Sequence, residues 1–424
     1  MSPDDWRKMH GGDIYSSKVK YDFSVNVNLL GIPRKAKIAG KKALKNAVHY
    51  PDQKCSGLRK ALSEKLGIPE DFLCFGNGAS ELISAFVRAS RAKTALLLAP
   101  SFSGYKAALD SSEIQTEYYF LDEKNGFAFS GRDKENLKSK ILSKKYGILM
   151  ITTPNNPNGK LISPNYIEEI AQACKKSGTW LLIDECFMAL SGRNFSFIKK
   201  IGKLKNAAVL RAFTKTFALP GVRLGYLVSQ KATAEKVQRE LPEWNVSGIA
   251  QETGLACLSE EKYLLRAARL IEKERKFLFR KLEDFGFTVF DSDVNFILFK
   301  SEKIFDLKER LLEKEILIRD CSDYKGLEKG FYRIAVKSRG ENRKLVSALG
   351  YVAGAKCVRI SNAGIADGHR RRKPEPRNTR PERSEGNALR KNSECSAFRA
   401  DFSGTNSDFQ TLNSLNKSNI SNFY

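Results

Sequence analysis

Trp180-Leu181-Leu182-Ile183-Asp184 is a short run, apolar to its fourth position and ending in a carboxylate. Just before it, residues 166–177 carry Ile167, Ile170, Ala171 and Cys174 at helical spacing. A continuous apolar run beside an amphipathic helix predicts a strand buried on both faces. The same signal recurs on either side. Residues 94–99, 147–152, 208–213 and 224–228 are further strand candidates. Apolar strands alternating with helices predict an α/β fold built on a mainly parallel sheet. Helices near 262–285 and 302–314, with strands near 295–299 and 331–336, predict a smaller α+β unit after it. No internal repeat is visible.

The chain has 424 residues, with 73 Lys+Arg, 48 Asp+Glu and 3 His, for a formal charge of +25. Of that charge, +6 falls after residue 354 and +19 before it. Residues 355–424 are rich in Arg, Asn, Ser, Glu, Pro and Gly without apolar periodicity, so composition predicts a disordered tail. A basic chain invites a nucleic-acid reading, with the Arg370-Arg371-Arg372-Lys373 run as its sharpest feature. Eight cysteines are scattered without a Cys-x-x-Cys pair, and residues 1–10 are polar. This predicts a reducing, cytoplasmic setting and no secretory leader. Three histidines and no paired cysteines argue against a zinc site. No run reaches the roughly 18 apolar residues that a membrane-crossing helix needs.

In open α/β sheets, ligand groups gather where strands end and helices begin. Those positions hold an ordered set here. Gly76-Asn77-Gly78-Ala79-Ser80-Glu81 enters a helix, and its backbone amides can cradle a phosphate. Pro100-Ser101-Phe102 follows the next strand, and Thr153-Pro154-Asn155-Asn156-Pro157-Asn158-Gly159 the one after. Then come Asp184-Glu185-Cys186-Phe187, Thr214-Lys215, and Arg223 within Pro220-Gly221-Val222-Arg223-Leu224-Gly225-Tyr226. Singly, each has an ordinary reading. A Gly-x-Gly is usually a turn, a strand-end Asp a helix cap, a lone Lys a solvated charge. Together and in this order they specify much more.

The set resembles the fold-type I pyridoxal-phosphate enzymes of the aminotransferase class I/II family, from about residue 10 to 349. That resemblance implies a large domain on a mainly parallel seven-stranded sheet and a smaller α+β domain. The divisions expected are 1–47 for an arm and part of the small domain, 48–247 for the large domain, 248–354 for the small domain, and 355–424 for the tail. It implies pyridoxal 5′-phosphate as cofactor. Lys215 would take the cofactor aldehyde and move protons at the substrate α-carbon. Asp184 would hold the ring nitrogen protonated, Asn156 would bond the ring hydroxyl, and Phe102 would stack on the ring. Gly78, Ala79, Ser80, Thr214 and the Arg223 fork would hold the phosphate. Tyr50 would reach that phosphate from a neighbouring subunit, which implies a homodimer with shared sites. Two positions depart from the common pattern: Phe187 stands where many relatives have Tyr, and Ala212 where many have Ser or Thr. The intact Lys215–Asp184–Arg223 set argues against an inactive fold kept for nucleic-acid binding.

Other segments narrow the resemblance. His10-Gly11-Gly12, Asp22 to Asn28, Pro242 to Ser247, and Leu317-Ile318-Arg319-Asp320-Cys321 are similar to the threonine-phosphate decarboxylase branch, tied to cobalamin biosynthesis. Its sister branch is the histidinol-phosphate aminotransferases, which remain the alternative. The implied substrate is a small amino-acid phosphate carrying two anionic groups. Arg333 would take its carboxylate; Arg319, His10 and Asn28 are candidates for its phosphate.

Overall fold

The computed structural model describes residues 11–193 and 195–354. The expectations placed on His10 and on the 355–424 tail lie outside the described residues. The strands in chain order are β1 (Tyr21–Asp22), β2 (Leu73–Gly76), β3 (Thr94–Ala99), β4 (Gln115–Phe120), β5 (Ile148–Thr152), β6 (Trp180–Asp184) and β7 (Ala207–Ala212). They continue with β8 (Gly225–Ser229), β9 (Thr288–Val289), β10 (Phe296–Lys300), β11 (Ile316–Leu317), β12 (Arg319–Asp320) and β13 (Phe331–Ala335).

Seven of them form one sheet in the order β2-β8-β7-β6-β5-β3-β4. β7, β6, β5, β3 and β4 are mutually parallel, and β8 runs antiparallel to both of its neighbours. β5, β6, β7 and β8 are buried along their whole length. Helices cover both faces, which accounts for the unbroken apolar runs. One core joins Ile183, Val209 and Ile151 to Ile167 and Ile170 of the helix Pro164–Ser177. The opposite core joins Leu182, Leu210 and Met150 to Leu82 and Phe86 of the helix Ala79–Ser90. Each fully buried aliphatic side chain in these layers contributes about 1.5–3 kcal/mol.

β4 was not visible as a strand in the sequence. It is the sheet edge, and its residues Gln115-Thr116-Glu117-Tyr118-Tyr119-Phe120 are half-buried or exposed. An edge strand needs no apolar run, so periodicity does not mark it.

The reversed strand β8 has a consequence for the site. Arg223 precedes β8, whereas Gly78, Phe102, Asn156 and Lys215 follow β2, β3, β5 and β7. Because β8 runs backwards, its start lies at the same edge as the ends of its neighbours. Gly225 is paired with both Gly76 and Ala212 there.

The smaller sheet has the order β12-β13-β10-β9 and is antiparallel. Its core includes Ile297, Phe299, Ile334 and Val336, with Leu278 and Leu282 from the long helix Glu261–Asp284. β1 pairs in parallel with β11, and the Phe23 carbonyl accepts a hydrogen bond from Ala335 N at 2.8 Å. This tethers the amino-terminal segment to the small sheet and places Ser24 at the site. Among the described residues, no helix is long and apolar enough to cross a membrane.

Candidate active site

The strand ends meet in a cavity of about 270 Å³. Ten residues singled out in the sequence line it: Ala79, Ser80, Phe102, Asn156, Asp184, Thr214, Lys215, Arg223, Arg319 and Arg333.

Asp184 ends β6 and is buried. Its Oδ1 accepts from Cys186 N at 2.9 Å, and its Oδ2 accepts from the Tyr105 hydroxyl at 2.7 Å. Tyr105 also sits 2.7 Å from Thr152 Oγ1. Burial raises the Asp184 pKa, and hydrogen bonds from the Cys186 thiol, the Tyr105 hydroxyl and Cys186 N oppose that rise. Tyr105 was not anticipated; it is one apolar-face residue of the helix Ser103–Asp110, and only the fold aims its hydroxyl at Asp184.

Lys215 lies in the short helix Phe213–Thr216 directly after β7. Its pKa is lowered to about 8, first by burial and then by the positive charges of Arg333 and Arg223. A lysine amine so depressed has a substantial neutral, nucleophilic fraction near neutral pH. Its backbone is braced from the amino-terminal segment. Asn28 N donates to the Lys215 carbonyl at 3.1 Å, and Asn28 Nδ2 donates to the Thr216 carbonyl at 2.9 Å. Asn28 Oδ1 accepts from Leu30 N at 3.0 Å. Asn28 is not among the residues that line the cavity. Its amide is consumed in holding the lysine turn.

Gly78 precedes the helix Ala79–Ser90 with φ +83, and no side chain caps that helix. The first amides of a helix lack intrahelical acceptors, so this end suits an anion. A Cβ at Gly78 would lie 2.5 Å from Arg223 Nη2, so only glycine lets the guanidinium close over the turn. Arg223 itself has φ +60. It touches only the Pro220 and Asn77 carbonyls, at 3.2 and 3.5 Å, and forms no ion pair among the described residues. Ser80 and Arg223 are exposed, so this end of the cavity opens outward.

Arg319 and Arg333 are directly opposite each other on β12 and β13. Residues paired this way project to one face. Both are buried at 5% exposure. Arg333 Nη2 donates to the Ser24 carbonyl at 2.8 Å, and Nη1 donates to Asn156 Oδ1 and to the Tyr324 hydroxyl. Its Nε is buried without a hydrogen-bond partner among the described residues. Arg319 Nη2 donates to both carboxylate oxygens of Asp323, at 2.7 and 2.6 Å. Two buried guanidinium groups side by side repel, which an anionic ligand would relieve.

Tyr324 also lines the cavity. Here its ring lies 5.3 Å from the Arg319 guanidinium, and its hydroxyl lies 3.4 Å from Asn156 Oδ1. Phe187 is buried against Phe296, with ring centroids 5.0 Å apart. Tyr50 is outside the cavity of its own chain, 82% exposed, and packs on Trp244 at 4.8 Å.

These residues fit a cofactor that is a flat ring with a phosphate arm. The cradle that a Cβ would fill, the arginine without an acid partner, the depressed lysine and the buried carboxylate each match one part of it.

The sequence pattern of the family described as aminotransferase class I and II matches residues 18–349. The adenosylcobalamin biosynthesis bifunctional protein CobDQ of Leptospira interrogans is 32% identical over 353 residues, 80% of this chain and 40% of that protein. This chain therefore spans less than half the length of that relative. The threonine-phosphate decarboxylase of Salmonella typhimurium is 31% identical over 351 residues, 80% of this chain and 95% of that one. Among solved structures, the histidinol-phosphate aminotransferase of Clostridium acetobutylicum gives a TM-score of 0.73 at 31% identity, covering 79% of this chain and 99% of that chain.

Proposed function

This chain belongs to the aminotransferase class I and II family, whose cofactor is pyridoxal 5′-phosphate, and on that premise we propose that it decarboxylates L-threonine O-3-phosphate. The product is (R)-1-amino-2-propanol O-2-phosphate, a building block for cobalamin. The observation that carries the reading is the Arg319–Arg333 pair, two buried guanidinium groups on one face of the cavity. A substrate with a carboxylate and a phosphate answers both. The names of the Salmonella and Leptospira relatives support it.

When bound, the cofactor supplies an electron sink for the pair left on the substrate α-carbon. The remaining work belongs to the chain. Gly78, Ala79, Ser80, Thr214 and Arg223 hold the cofactor phosphate. Asp184, fixed by Tyr105 and Cys186 N, keeps a proton on the ring nitrogen. Phe102 and Asn156 orient the ring. Arg333 takes the substrate carboxylate with its fork, and Arg319 takes the phosphate. Which bond at the α-carbon breaks follows from where these two arginines hold the two anions. When carbon dioxide leaves, the bonding pair stays behind, and Lys215 or a water returns a proton to that carbon.

A second reading keeps the site and changes the bond broken: aminotransfer on histidinol phosphate. It is supported by the 31% identity to the Clostridium structure. Carbon dioxide release from L-threonine O-3-phosphate without 2-oxoglutarate supports decarboxylation; turnover only with an amino acceptor defeats it.

The chain acts as a homodimer in this reading. Ile38, Leu44, Val48, Tyr50 and Trp244 are exposed apolar side chains close in sequence or contact, with Val48 at 83%. The phosphate end of the cavity is open at Ser80 and Arg223. A second copy would bury the patch and bring its Tyr50 to that opening. Cys55, Cys74, Cys174, Cys186 and Cys321 are buried free thiols, which supports a reducing, cytoplasmic setting.

A further inference from the structure

The helix Glu261–Asp284 is the longest in the described protein, and its outward face is patterned. Lys262, Arg266, Arg269, Lys273, Lys276 and Arg280 are all exposed. Their spacings alternate four and three residues. At 3.6 residues per turn they fall within an arc of roughly 80°, and at 1.5 Å per residue they extend over about 27 Å. Six positive charges thus form one straight stripe.

Little neutralises it. Lys276 pairs with Glu272 at 2.7 Å. The other five form no ion pair among the described residues. The acids at the helix ends are already engaged, Glu261 by Lys65 and Asp284 by Lys281 at 2.7 Å. Glu283 is the one exposed acid near the stripe with no ion pair among the described residues. Beside the carboxyl-terminal half runs an open groove bordered by Lys273, Lys276, Arg280, Lys281 and Arg339, with the acids Glu283 and Asp284 on it as well.

We infer that this stripe is a docking surface for the phosphate backbone of a duplex nucleic acid. Charge complementarity chooses the class. A row of like charges about 5 Å apart matches a polyanion whose charges are also in rows. It does not match a membrane surface, which also takes up an apolar helix face. Here that face is spent: Leu264, Ala267, Ile271, Leu278 and Leu282 are buried in the protein's own core. The reading departs from the sequence-based one, which disfavoured nucleic acid as a partner. Net charge alone does not reveal alignment. The stripe is remote in sequence from Lys215, Asp184 and Arg223, so binding there needs no inactive enzyme.

The test uses the full chain loaded with pyridoxal phosphate and a fluorescein-labelled 20-base-pair DNA duplex of arbitrary sequence. Fluorescence anisotropy should show binding at 50 mM salt that weakens steeply by 200 mM, with a log–log slope near 4–5 if most of the six charges contact phosphate. Arg266→Glu combined with Lys273→Glu should weaken binding at least 10-fold while substrate turnover and circular dichroism stay unchanged. No binding at 50 mM salt overturns the inference. So does equal binding by the double variant, which would place the contact elsewhere, as on Arg370-Arg371-Arg372-Lys373. Binding to phosphatidylserine vesicles but not to the duplex overturns it too.

Discussion

Arg319 Nη2 donates to both carboxylate oxygens of Asp323, at 2.7 and 2.6 Å, although Arg319 lines the cavity. An anion that uses Arg319 must therefore compete with an aspartate four residues along the same chain. A phosphate dianion competes better than a carboxylate of single charge. On the proposed function, Asp323 would bias the site toward phosphorylated substrates.

Asp323→Asn removes the competitor's charge and keeps its shape. Inorganic phosphate should inhibit the variant more strongly, by about 2–5-fold, since partly exposed pairs of this kind are worth up to about 1 kcal/mol. Selectivity for threonine phosphate over threonine should narrow. An inhibition constant that is unchanged or higher would remove Asp323 from any such role.

Lys215 carries a pKa near 8 because it is buried beside Arg333 and Arg223. Its neutral fraction grows as pH rises through that value. The rate at which the chain captures added pyridoxal phosphate should therefore climb between pH 7 and 9. Arg333→Met removes a positive neighbour, so the amine's pKa rises and the climb moves to higher pH. Stopped-flow absorbance reads both, and Lys215→Ala should show no visible band from lysine-bound cofactor. The folded chain holds this proton less tightly than the unfolded chain. The linked stability cost is full below about pH 8 and disappears as pH rises toward 10.5.

Tyr105→Phe deletes one of the donors that fix Asp184. A hydrogen bond to an ionised group contributes about 1.5–3 kcal/mol. The variant should lose kcat by roughly 10-fold or more, with KM for substrate nearly unchanged. A rise in KM at constant kcat would argue that Tyr105 serves substrate binding instead.

Glu185, the neighbour of Asp184, is buried with Arg211. Glu185 Oε2 accepts from Arg211 Nε and Nη2 at 3.1 and 2.8 Å, and its Oε1 accepts from Phe197 N. Arg211 Nη1 has no hydrogen-bond partner among the described residues. Arg211→Met strands a buried carboxylate and should cost about 3–5 kcal/mol in urea unfolding of the loaded protein. Glu185→Leu added to it should recover much of that loss. If the single variant unfolds at the parent midpoint, the pair is not structural.

Strands β3, β5 and β6 were legible because each is a continuous apolar run, a signal that survives without knowledge of neighbours. β4 was not, because an edge strand can be polar. Gly78, Asp184, Lys215 and Arg223 were legible because their types and order follow from strand ends. The brace that Asn28 puts on the lysine turn was not legible, because its Nδ2 donates to the Thr216 carbonyl across a span no local pattern encodes. Tyr105 and the Glu185–Arg211 pair were missed for the same reason.

What the amino-acid order determined by itself is the family, the alternation of strand and helix, and the chemical groups placed at each strand end. These depend on residue type and spacing along the chain, where periodicity and turn chemistry act locally. Tertiary structure alone decided that β8 runs backwards and carries Arg223 to the cofactor edge, and that Arg319 and Arg333 face one cavity. It also decided that Lys215 is depressed toward neutrality. Each of these is a relation between groups distant in sequence or set by burial. Coulomb energy and desolvation depend on separation in space, which only packing supplies.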